Sequence, residues 1–193
     1  MGCDIHLYKE KRVNGAWVAA DVWVTDEYSE DENDKDVPWE NRYTWRNYNL
    51  FGLLSKGVRR QFPFSFEPRG LPFNACQEIA CQSEKWDGDG HSHSYLYLHE
   101  LKDMREFLKT ATLKVSGMKD RDELAALRAS IASDAPNWDL LYPYCQFTGM
   151  PSYEEFEIDV PASYIVGGCL DEIISSFDGV DGDNHRIVFF FDN

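Results

Sequence analysis

Basic residues are scarce in this chain: 19 Lys and Arg stand against 34 Asp and Glu, a formal net charge of −15 over 193 residues. A field of that sign repels phosphate backbones and argues against direct nucleic-acid binding. The 5 cysteines, Cys3, Cys76, Cys81, Cys145 and Cys169, are odd in number and include no C-x-x-C pair. Such spacing is poor for a disulfide framework or a zinc knuckle and predicts reduced thiols in a reducing compartment. No apolar run approaches the ~20 residues of a membrane span, and the N-terminus lacks the apolar core of a signal peptide. The expectation is a soluble chain with no membrane partner. Met1-Gly2-Cys3 invites a lipidation reading, but the myristoylation pattern asks for Ser or Thr where His6 stands.

Apolar and aromatic residues are plentiful, at 43% and 15%. Aromatic side chains bury large areas, so this composition predicts a packed globule. The length suits one domain over residues 1–193, and folding at this size removes roughly 70% of the unfolded chain's surface. The acid is unevenly spread, with a run from Asp26 to Asp36 that reads as a solvated loop.

Residues 3–8 alternate, with Cys3, Ile5 and Leu7 on one face and Asp4, His6 and Tyr8 on the other, as in a half-buried strand. Asn14-Gly15 predicts a hairpin turn returning into a strand over Ala16–Thr25. Helical spacing follows over Arg46–Val58, then a loop from Phe62 to Pro72, and a short helix that Asn74 caps and that runs to Gln82. Trp86–Ser94 reads as a loop or strand edge. Helices are expected at His99–Lys109, Asp120–Ala132 and Ala162–Phe177. Arg186–Asp192 is continuously apolar, as a central strand covered on both faces would be, and is placed beside the first strand. The fold class is therefore α+β: a mixed or antiparallel central sheet that includes the N-terminal and C-terminal strands, with several helices packed on it.

Histidine is rare, at 5 residues, and three sit in tight contexts: His6 in Asp4-Ile5-His6, and His91 and His93 around Ser92. A strand projects such x-apart-by-two pairs to one side, and imidazole with carboxylate suits a divalent transition metal such as zinc or manganese. Asp4, His6, His91 and His93 are the candidate ligands. Asp87 and Asp89 are the candidate proton acceptors. The segment Asp87–His91 (DGDGH) is echoed by Asp181–His185 (DGDNH). A calcium-loop reading fails because Ser92 and Leu98 stand where Gly and Glu are needed. Arg46, Arg59, Arg60 and Arg69 are the arginines of the aromatic stretch from Trp45 to Leu71, and guanidinium forks hold phosphate or carboxylate. Among the ligand-binding candidates are Arg46, Tyr48, Arg69, Trp86 and Tyr95, for a small anionic ligand. The plainer alternatives stay open: histidines that bond backbone carbonyls, and arginines that pair with the chain's own surplus of acid.

Met1–His6 (MGCDIH), Arg46–Tyr48 (RNY), Arg69–Pro72 (RGLP), Gly88–Ser94 (GDGHSHS) and Val188–Asn193 (VFFFDN) together resemble a family of small proteins encoded by tailed bacteriophages and prophages. The resemblance spans both ends and the middle of the chain. It implies a phage origin and a host-cytoplasm setting more than a reaction. It singles out Asp4, His6, Arg46, Arg69, Asp89, His91 and His93, while Asn74 and Tyr95 depart from the Asp and Trp of the pattern.

Three functions compete on these residues. One is a metal-dependent hydrolase of a small phosphorylated or nucleotide-like molecule, in which bound water is activated by the ion. Another is an anti-defence protein that sequesters a nucleotide signal without turnover. The third is an acidic protein that inhibits a host DNA-binding enzyme through Asp26–Asp36.

Overall fold

The computed structural model describes residues 2–26, 29–31, 34–146, 151–177 and 182–193. Glu27, Tyr28, Glu32 and Asn33 of the acidic run and Asp181 of the second DGD motif lie outside the described residues. The chain is α+β and divides into two compact units, Met1–Arg105 with Cys169–Asn193, and Glu106–Gly168. Among the described residues no helix is long and apolar enough to cross a membrane.

The first unit is built on a four-stranded sheet. Strand β1 (Asp4–Val13) turns through Asn14 and Gly15, both at positive φ (52° and 84°), into β2 (Ala16–Ala19). Asn-Gly is the pair that tolerates two such residues in succession, so the hairpin forms where the sequence places it. β2 is shorter than the expected ten residues. It ends where the buried Asp21 carboxylate takes the Lys9 amide at 2.5 Å. Val24–Thr25 (β3) then pairs with Lys35–Asp36 (β4) as a separate ribbon. Strand β5 (His91–Tyr97) and strand β8 (His185–Asp192) complete the main sheet in the order β2-β1-β8-β5, every pairing antiparallel. The C-terminal strand is therefore central and lies beside the N-terminal one.

Both sheet faces are covered, which explains the unbroken apolar run Ile187–Phe191, every residue of it fully buried. On one face, helix α1 (Tyr48–Leu54) sets Phe51 against Phe191, ring centroids 5.2 Å apart. On the other, helix α2 (Gln77–Lys85) packs Ile79 against Tyr8, Val188 and Phe190, with Val37 and Trp23 beside them. The Asp4-His6-Tyr8 face of β1 is thus not a solvated face: Tyr8 is 4% exposed. Period-two alternation identified the strand but not the cover laid over its polar side.

Two helix starts differ from expectation. α1 begins only at Tyr48, because Asn47 caps it by accepting from the Asn49 and Leu50 amides, both at 3.0 Å. Asn74 does not cap α2. Its Oδ1 accepts from both terminal nitrogens of Arg186 at 3.2 Å, and the Cys76 amide instead donates to Glu10 at 2.6 Å. A buried guanidinium outbids a helix terminus for the carboxamide.

In the second unit, helix α3 (Leu98–Leu108), which begins in the first unit, leads to β6 (Thr112–Asp120). Helix α4 (Arg121–Ile131) follows, capped by Asp120 through the Asp122 amide at 3.0 Å. Strand β7 (Tyr153–Pro161) returns antiparallel to β6, and helix α5 (Ala162–Ser175) carries the chain back to β8. Leu124 and Leu127 of α4 bury against Leu141, Phe156 and Val160. The β6–β7 ribbon is absent from the sequence reading, although Phe156, Ile158 and Val160 alternate with Glu157 and Asp159 as strand residues do.

Candidate functional site

The register of β1 on β8 sets Asp4 opposite Asp192 and His6 opposite Phe190, all on the face that α2 covers farther along. Asp192 serves both neighbours on β1. Its Oδ1 accepts the Asp4 amide at 3.1 Å, and its Oδ2 lies 3.3 Å from His6 Nε2. The His6 ring is held by two aromatic planes: Phe190, stacked at 4.7 Å, and Trp86, tilted at 4.4 Å. Arg46, from the segment before α1, forks onto Asp4, Nη2 to Oδ2 at 2.5 Å and Nε to Oδ1. That hydrogen bond is the main reason the Asp4 carboxyl sits below the usual carboxylate range, working against its modest desolvation.

Above these groups opens a recess of about 510 Å³, within the range of small-molecule sites. Its walls are aromatic: Trp39, Trp45, Trp86 and Tyr43. Arg42 and Arg46 also line it, with Asp4, His6 and Asp192 contributing from the sheet. Trp39 is 72% exposed and Trp45 63%. Two indoles left in water beside a concave, charged floor are unusual for a folded chain, which ordinarily covers such area. Their backbone is nonetheless tied down. A short helical turn, Trp39–Asn41, follows Pro38, and Arg42 anchors it by pairing with Asp36 at 2.7 Å and donating to the Val37 carbonyl. Burial pushes the Tyr43 phenol upward, with the Cys169 thiol adding to it, so the hydroxyl keeps its proton.

Asp4, His6, Arg46 and Trp86 of the expected site meet in this recess, and the others do not. His91 and His93 part company because Ser92, at φ 53°, makes a bulge in β5: His91 pairs with Phe191, and Ser94, one residue out of step, with Phe189. Two residues on the bulged strand answer to one on its partner, so the alternation that would put both imidazoles on one side fails. His91 Nε2 meets the Asn193 carboxamide at 3.1 Å. His93 stacks on Phe190 at 4.8 Å and bonds Ser83 at 2.9 Å. Burial, and then His91, hold its pKa below the usual imidazole value. Phe190 therefore lies between the His6 and His93 rings. Among the described residues no three His, Cys, Asp or Glu side chains are grouped to hold a metal ion.

Asp87 and Asp89 stand exposed in the turn between α2 and β5 and do not line the recess. Arg69 forks onto Glu100 at 2.8 and 2.6 Å and lies over Tyr95, 5.4 Å from its centroid. Tyr95 also sits beneath Arg186 at 5.3 Å, so both belong to a structural network. Tyr48 lies under Arg59, 5.2 Å away, and lines a neighbouring recess. Sequence reasoning missed Asp192, Trp39, Trp45, Arg42 and Tyr43. Asp192 was within reach: pairing the first and last strands in register brings it to Asp4. The tryptophans carry no periodic signal, because Trp39 opens a single three-residue helical turn and Trp45 stands outside any helix or strand.

No family, no curated protein and no solved structure matches this chain.

Proposed function

We propose that the chain binds a small, planar, anionic molecule of nucleotide-like chemistry in the recess walled by Trp39, Trp45 and Trp86. The carrying observation is the convergence of these three indoles with Arg42 and Arg46 on one concave surface. Indole faces stack on flat heteroaromatic rings, and guanidinium forks meet phosphate or carboxylate. In the cytoplasm of a host cell, which the resemblance to phage-encoded proteins implies, such a site would sequester a nucleotide signal.

A hydrolytic reading is favoured by one observation, the His6–Asp192 pair at 3.3 Å on the floor of the same recess. A carboxylate orienting an imidazole is the arrangement by which histidine exchanges protons with a bound molecule. His91 and His93 do not join Asp4 and His6, so of the four residues expected to hold a metal only Asp4 and His6 support this reading. Incubation with a ribonucleotide panel, followed by denaturation and chromatography, separates the two readings. Intact ligand released in stoichiometric amount means sequestration, and altered product means turnover. Trp45→Ala should weaken binding about fivefold or more, the loss of one stacked base, about 1–3 kcal/mol. Absence of any tryptophan fluorescence change across the panel would sink both.

A further inference from the structure

A second recess, of about 350 Å³, adjoins the first and shares Trp45 and Arg46 with it. Its remaining lining is polar: Tyr48, Asn49 and Arg60 are prominent, with no carboxylate among them. In a chain with 34 acidic residues, a concave surface lined by Arg60, by an Arg46 whose charge Asp4 already balances, and by no acid keeps one uncompensated positive charge.

The two guanidinium groups are unequally engaged. Arg46 spends Nε and Nη2 on Asp4, and its Nη1 has no carboxylate partner among the described residues. Arg60 forms no ion pair among the described residues, whereas Arg42, Arg46 and Arg69 each do. Asn47, also in the lining, is already occupied, its oxygen capping α1 and its Nδ2 donating to Cys169 at 3.0 Å. The free donors therefore belong to Arg60, to Arg46 Nη1 and to Asn49. Position 60 is held by the backbone. Gly52 of α1 lies so close that a Cβ there would sit 2.7 Å from the Arg60 carbonyl carbon and 2.8 Å from its Cβ. Only glycine at 52 lets this stretch lie against the helix.

We infer that this second recess is a phosphate subsite, with Arg60 and Arg46 holding the phosphates of a nucleotide whose base stacks in the tryptophan recess. The inference rests on the reading above and narrows it: the preferred ligand is a nucleoside carrying a phosphate chain, not a free nucleoside or base. The Arg60 fork and the remaining Arg46 Nη1 donor match phosphate oxygens, and in an otherwise acidic protein they also offset the repulsion a polyphosphate would meet elsewhere on the surface.

The test uses the four ribonucleosides, their 5′-triphosphates and inorganic tripolyphosphate, titrated calorimetrically into wild-type protein, Arg60→Glu and Trp39→Ala. Trp39 lines only the first of these two recesses. For at least one base the triphosphate should bind ten or more times tighter than the nucleoside. Arg60→Glu should erase that preference, leave nucleoside affinity within twofold, abolish tripolyphosphate binding and keep the wild-type melting temperature. Trp39→Ala should weaken nucleoside and triphosphate alike while sparing tripolyphosphate. A triphosphate preference unaltered by Arg60→Glu overturns the phosphate subsite while leaving the tryptophan site standing. Nucleosides insensitive to Trp39→Ala, with tripolyphosphate still lost in Arg60→Glu, overturn the tryptophan site and keep the subsite. No binding by any probe overturns both.

Discussion

The two ends of the β1–β8 pair carry similar chemistry and put it to opposite use. At one end Glu10 faces Arg186 across the ladder, at the other Asp4 faces Asp192, and all four side chains project from the same sheet face. Glu10 and Arg186 are buried to 0% and 2% side-chain exposure, 2.5 Å apart. Their remaining valences are filled by the Cys76 amide, by Asn74 and by Trp17, whose ring lies 4.1 Å from the guanidinium carbon. Nothing there is left for a ligand. Asp4 and Arg46 are about half exposed, and Asp192 and His6 open onto the tryptophan recess. The same residue types become scaffold where the cover is complete and site where it stops. What differs is α2 with its flanking loop, which reaches Glu10 but leaves Asp4 in the open.

That contrast can be broken by removing one charge at each end. Glu10→Ala strands a buried guanidinium and should lower unfolding free energy by about 3–5 kcal/mol in a denaturant titration. A loss within experimental scatter would mean that the pair is not sealed from water. A second measurement concerns His93, between the two ends. Because its folded-state pKa is depressed, the unfolded chain takes up the proton first. Its contribution to stability is full above roughly pH 6.5 and is lost as pH falls below that value. Replacement by Gln should flatten this part of the profile, measured as melting temperature against pH, and an unchanged slope would contradict the burial. The smallest effect belongs to Asp4→Asn. Its partner is exposed, so the melting temperature should stay at the wild-type value, while affinity for the nucleotide proposed above should change through release of Arg46.

Much of the scaffold could be read from residue order alone. The Asn14-Gly15 hairpin, the apolar closing strand and the Asp120-capped helix each follow from one dominant local preference, and each is where that preference puts it. The elements that went unread were governed from a distance. Asn74 was a good cap in isolation, but a guanidinium more than a hundred residues away claims it. The β6–β7 ribbon was hidden because its strands lie far apart in sequence and are half exposed, and charged residues blur their alternation. In the candidate site, Asp4, His6, Arg46 and Trp86 were identifiable by residue type, and all four line one recess. The pairing of His91 with His93 was not, because one left-handed backbone torsion at Ser92 overrules the two-residue period on which it depended.

The adjacency of residues 4 and 192 bears on how the protein should be handled. Any chain fused just before Asp4 or just after Asp192 would leave the sheet beside Trp45 and Trp86 and crowd the mouth of the recess proposed as the binding site. The Asn14-Gly15 turn, about 30 Å along β1 at 3.4 Å per residue and with open space around Gly15, is the safer place for a fluorophore or an affinity handle.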